Sequence, residues 1–290
     1  MVLEEIVHAT TAEKKPIVIL PIAFIYATIA MFVALWIFPS AAAIVSVFLI
    51  TLAVMPLFIE VILFEKQKEE SDKSYLRQIL IPNIKFGQGK DKLLSFFVYL
   101  FLGLALATTM WFVVLPSSMI NDLFQIQLNT IREINLALSG AAVSPSFFGA
   151  ILANNIKVLA FSVLFSFIYG AGAIFILAWN ASVIGVAMGD TIRSSLTAAS
   201  SVTGSASFAF YASTISAGLL RFLVHGVPEV LAYFIGALAG GMLSIAVLKQ
   251  EFTSEKFTKT IKDMGGLVLV AIGLLIISAV IEIVISPNLG

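Results

Sequence analysis

The chain has no cysteine, two histidines (His8 and His225), and only 12% charged residues in a length of 290. The missing cysteine removes disulfides, thiolate nucleophiles and sulfur-ligated metals together. Two histidines are too few for a histidine-rich metal centre, and no cofactor is expected. Basic and acidic residues are equal in number, 17 each, so no net field draws the chain toward nucleic acid. No glycine-rich phosphate loop ends in Lys-Ser or Lys-Thr, and no His-Glu-x-x-His zinc motif occurs. A serine nucleophile needs a histidine or lysine beside it, and His225 singles out none of the many serines. The sequence reads as non-enzymatic.

What it has in excess is apolar side chains, 60% of all residues. An ordinary soluble domain is about half apolar and about a quarter charged. Such a surplus suits hydrocarbon, so the lipid bilayer is the first expected partner and a cell membrane the expected location. Glu4, Glu5 and Glu13 at the N-terminus are unlike the basic start of a cleaved signal peptide.

The expected architecture is all-α, a polytopic transmembrane bundle of about seven spans with one amphipathic interfacial helix. A span needs about 20 apolar residues to cross about 30 Å of hydrocarbon. Ile17–Phe38, Ala41–Leu63 and Leu93–Leu115 meet that length, with Pro39-Ser40 as a turn between the first two. Between the second and third spans, Phe64–Lys92 is polar and carries seven Lys or Arg. Ser117–Ser139 alternates apolar and polar residues at helical spacing and reads as a helix lying on the membrane or on the other helices. Ile156–Gly189 is apolar for 34 residues, too long for one straight span, with possible breaks at Gly170-Ala171-Gly172 or at Asn180. Further spans are expected at about Ser205–Val224, Val227–Leu248 and Gly265–Ser286.

The positive-inside rule orients these segments. A single crossing by Ile156–Asn180 places the N-terminus and 14 of the 17 basic residues in the cytoplasm, Arg193 and the four lysines of 249–262 among them. The C-terminus is then external. A hairpin at Gly170–Gly172 would add a crossing and move that lysine loop outside, so the single crossing is preferred.

In this arrangement Asn154, Asn155 and Lys157 open the fourth span, Arg221 and His225 close the fifth, and Glu229 lies one turn into the sixth. These polar groups converge in the outer half of the bilayer, with Glu229 pairing naturally with Lys157 or Arg221. Polar side chains in hydrocarbon usually face the bundle interior and find partners. Two readings stay open: a substrate, ion or proton site, or snorkelling cations and helix-capping asparagines. His225-Gly226-Val227-Pro228 reads as a helix break. Gly185-x-x-x-Gly189 and Gly236-x-x-x-Gly240 are small-residue patterns that let helices approach, within one subunit or between subunits. A homo-oligomer or other membrane proteins are expected partners.

Asn154-Asn155 opening a helix, Gly170 and Gly172 midway, Asn180 with Gly185 at its end, and His225-Gly226-x-x-Glu229 together resemble the stage II sporulation protein M family. Ala181 stands where that family typically carries a glycine. The resemblance covers about residues 93–286 and implies a multi-pass membrane fold. For sporulating members it implies a scaffold assembled with wall-remodelling partners. It divides the chain into residues 1–92, a transmembrane hairpin with a charged cytoplasmic loop, and residues 93–290, the family-like core. The expected function is a membrane scaffold or complex component. The alternative is a transporter or channel for ions or small solutes.

Overall fold

The computed structural model describes residues 16–69, 92–140, 145–169, 172–203, 226–243, 247 and 255–284, and every element among them is helical. A short 3-10 turn, Pro16–Val18, leads into α1 (Ile19–Ile37). A second, Pro39–Ala41, turns the chain into α2 (Ala42–Glu69). Proline suits this place because the first turn of a helix has no use for its missing N–H. Then follow α3 (Lys92–Val114), α4 (Ser117–Gly140), α5 (Pro145–Tyr169), α6 (Gly172–Thr203), α7 (Gly226–Leu243) and α8 (Glu255–Val284). Seven of the eight are long and apolar enough to cross a membrane, and α4 is the exception. The chain is a multi-pass membrane protein.

The expected single crossing by 156–180 is not what forms. The chain turns back between Tyr169 and Gly172, making two helices, α5 and α6, that pack on each other. Gly172 permits this because a Cβ there would overlap Phe165 and the backbone of Ser166. Asn180 breaks nothing: its Nδ2 donates to the Ile176 carbonyl 2.7 Å away, within an unbroken helix. The expected span at 205–224 lies outside the described residues.

Side-chain partners fix the relative directions. Gly103 of α3 lies against Leu20 and Ala23 of α1, while Trp111 donates to Thr28 at 3.0 Å, so α1 and α3 run parallel. Gly185 and Gly189 of α6 lie against Thr108 and Phe112 of α3, so α6 is parallel to both. Gly236 of α7 meets Leu159 and Gly240 meets Ser166, so α7 runs with α5 and against α6. Two consequences revise where the basic residues were expected to fall. Arg193 lies at the end of the bundle holding the Pro39 turn, not at the end where α2 leaves for residues 70–91. The hairpin does not separate the basic segments, because α7 delivers the chain toward Lys249 at the same end as the start of α3.

α6 is the central helix. Ile174, Ala181 and Val186 are fully enclosed, and Gly185 and Gly189 let the α6 backbone approach Ala105, Thr108 and Phe112 of α3. Trp36, 84% exposed beside the Pro39 turn, has the position of an interfacial aromatic.

Candidate functional site

Four polar side chains, Asn155, Asn180, Ser182 and Glu229, lie at similar heights in the folded chain although the sequence separates the first and last by 74 positions. The α5–α7 contact provides the scale. Ser162 donates to the Tyr233 carbonyl at 3.0 Å, Gly236 packs on Leu159 and Val163, and Gly240 on Val163 and Ser166. One turn before Leu159 the same face of α5 carries Asn155, 4% exposed, opposite the first turn of α7 and therefore near Glu229 in height. Gly226 lies in ordinary contact with Ile184, about halfway along α6. Because α7 descends α6, Glu229 comes to the level of Asn180 and Ser182. The polar groups thus gather at mid-height of the bundle rather than in its outer half. The reason is that α6 packs back along α5, which brings Asn180 beside Asn155.

Around Glu229 the bonding is specific. The Tyr233 hydroxyl, one helical turn away, donates to Glu229 Oε1 at 2.7 Å. The anticipated ion pair with Lys157 is not formed: Lys157 and Asn154 are exposed on other faces of α5. Arg221, His225 and Gly170 lie outside the described residues. Pro228 sits in the first turn of α7, where its missing N–H costs nothing. Asn155 Nδ2 and Ser166 Oγ, both buried on the inner face of α5, have no hydrogen-bond partner among the described residues.

A second polar layer adjoins the first through α6. Gln127 of α4 is 1% exposed and donates from Nε2 to Ser182 Oγ at 3.2 Å, while Ser182 donates to the Trp179 carbonyl at 2.7 Å. Thr109 of α3 donates to its own helix at Ala105 (2.8 Å) and across to the Gly185 carbonyl (3.1 Å). Phe124 meets Phe112, which also covers Gly189, and three residues later Gln127 reaches Ser182, two turns further down α6. Helix α4 therefore descends along the bundle rather than lying flat on a membrane.

The outward side of α4 differs in kind. Asn121, Asp122, Gln125, Asn129 and Arg132 are exposed and, with Leu128, line a groove of about 390 Å³. Arg132 donates to Asn129 at 3.4 Å.

The four glycines of the small-residue patterns are all occupied within the chain, Gly185 and Gly189 by α3 and Gly236 and Gly240 by α5. Tyr233, Gln127 and Ser162 join the site without a motif to mark them. For Tyr233 the signal in the sequence is its spacing, since Glu229 and Tyr233 are four apart and so share a helix face. Among the described residues no three His, Cys, Asp or Glu gather in a metal-binding group.

A family model described as Stage II sporulation protein M matches residues 93–287. No curated protein and no solved structure matches the chain.

Proposed function

This chain belongs to the stage II sporulation protein M family, and we propose that it acts as a non-enzymatic component of a membrane complex that receives a partner protein on the outward face of α4. That face carries the reading. α4 buries Ile120, Leu123, Phe124 and Gln127 in the bundle, and the opposite side presents amides, a carboxylate and a guanidinium. Hydrocarbon does not accept such groups, so the face meets water or protein. The basic residues of 64–92 and Lys249 follow helix ends on the opposite side of the bundle from the α3–α4 turn. With those residues cytoplasmic, the N-terminus is cytoplasmic too, and α4 enters from the external side.

The absence of cysteine makes the test clean. Single cysteines at Asn121 and Gln125, treated with a bifunctional cross-linker in native membranes, should give one discrete adduct. Leu164→Cys on the lipid-facing side of α5 should give none. A monodisperse monomer without adducts, showing solute flux in liposomes, would reverse the reading.

Transport of an ion or small solute is the second reading, favoured by the placement of Asn155 and Glu229 at mid-height. Discontinuous helices with polar residues at the bilayer centre are how many transporters hold their cargo. Loss of flux in Glu229→Gln liposomes would support it.

A further inference from the structure

We propose that Glu229 is a proton-exchanging carboxyl at mid-height of the bundle, held by Tyr233 and facing the open amide of Asn155. The inference is independent of whether a solute crosses the membrane or a partner binds α4, because it concerns one carboxyl and the groups around it.

The Tyr233 hydroxyl donates to Oε1, and no described residue is bonded to Oε2. Glu229 is half-buried in the first turn of α7. An ionised carboxylate in hydrocarbon is costly unless a cation meets it, and a neutral phenol is no cation. Among the described residues the neighbouring helices offer little positive charge. α5 contributes Asn155, which is neutral, and keeps Lys157 on an exposed face. α6 contributes Asn180, whose amide is already given to the Ile176 carbonyl. α3 contributes the ring of Phe97, stacked on Phe234 at 4.6 Å. α8 packs Leu275 into the cluster holding Tyr233 and carries Glu282 within electrostatic range of the Tyr233 hydroxyl, a second acid rather than a base. Arg221 and His225 lie outside the described residues.

Asn155 supplies the independent sign that something else visits this place. Its Nδ2 has no hydrogen-bond partner among the described residues, in a side chain 96% enclosed on the α5 face that meets α7. Burying such a donor unmet costs about 1–3 kcal/mol. A water carrying protons to Oε2 would meet both groups. The step balances simply: hydronium gives its proton to Oε2 and leaves as water, and the reverse step restores the carboxylate.

Hydrophobic carbodiimides modify membrane carboxyls only in their protonated form, and so they read this state directly. The full-length protein in detergent should be labelled by dicyclohexylcarbodiimide on the peptide carrying Glu229, detected by mass spectrometry. Labelling should fall as pH rises, be indifferent to sodium, and vanish in Glu229→Gln. Tyr233→Phe, which frees Oε1, should shift the pH profile without abolishing labelling. A Glu229 left unmodified while Glu282 or Glu60 reacts in the same sample would reveal a permanently paired carboxylate and overturn the proposal. Labelling independent of pH, or protection by sodium, would overturn it as well.

Discussion

Arg193 and Leu115 sit 78 residues apart in sequence, yet the Arg193 guanidinium donates to the Leu115 carbonyl at 2.8 Å. The same side chain donates to the Phe112 carbonyl at 3.3 Å and to Ser117 Oγ at 3.2 Å. It thereby satisfies carbonyls that the end of α3 leaves without intrahelical donors, and ties the α3–α4 turn to α6. Arg193→Ala should lower stability by about 1.5–3 kcal/mol, the usual range for a hydrogen bond to a charged group. Arg193→Lys should recover less than half, since an ammonium lacks the planar fork. Unfolding midpoints in mixed micelles would measure both.

Gly185 and Gly149 make a matched pair. A Cβ at Gly185 would come within 2.7 Å of Thr108 Cβ and 2.8 Å of the Ala105 carbonyl oxygen, whereas one at Gly149 meets nothing within 4 Å. Gly185→Ala should therefore cost about 1–3 kcal/mol by overpacking. Gly149→Ala should be neutral or gain up to about 1 kcal/mol from helix propensity. Thermal melts in one detergent would compare them.

Asn155→Leu should make the protein more stable. The substitution removes a buried donor with no partner among the described residues, worth about 1–3 kcal/mol, and keeps the side chain's heavy-atom count and branching. A lower melting midpoint would show that the amide has a partner.

Ser40→Cys and Ser194→Cys should both react with a membrane-impermeant maleimide added to intact cells, and Lys73→Cys should react only after lysis. Ser40 lies in the α1–α2 turn, and Ser194 is exposed one residue past the Arg193 clamp. Labelling at Lys73 from outside would invert the proposed orientation. Labelling at only one of the two serines would break the parallel relation between α1 and α6.

Long apolar runs made α1, α2, α3 and α8 legible, because each is set by the thickness of hydrocarbon and needs no tertiary information. The start of α4 was legible for another reason, since its polar and apolar residues alternate with the helical period. Residues 156–189 were not legible as a hairpin, because hydropathy does not report direction. Gly170 and Gly172 marked the possible turn, and only the contact of Gly172 with Phe165 shows that it closes. The lysines of 249–262 then favoured a single crossing by 156–180, since charge placement constrains the sum of crossings and not where each occurs. At the candidate site the sequence named Asn155 and Glu229 but paired Glu229 with a cation, having overlooked Tyr233.

Gly103, the first residues of α1 and the boundary of the family match at residue 93 belong together in one last respect. α1 precedes that boundary, yet its Leu20 backbone fills the notch Gly103 leaves, and Trp111 of α3 turns its ring edge toward Phe32 and its N–H toward Thr28. A fragment beginning at residue 93 would open that notch to detergent and strand an indole nitrogen. Shorter relatives lacking such an N-terminal hairpin would then be expected to carry bulkier residues where this chain has Gly103, or to borrow a neighbouring protein's helix to close the gap.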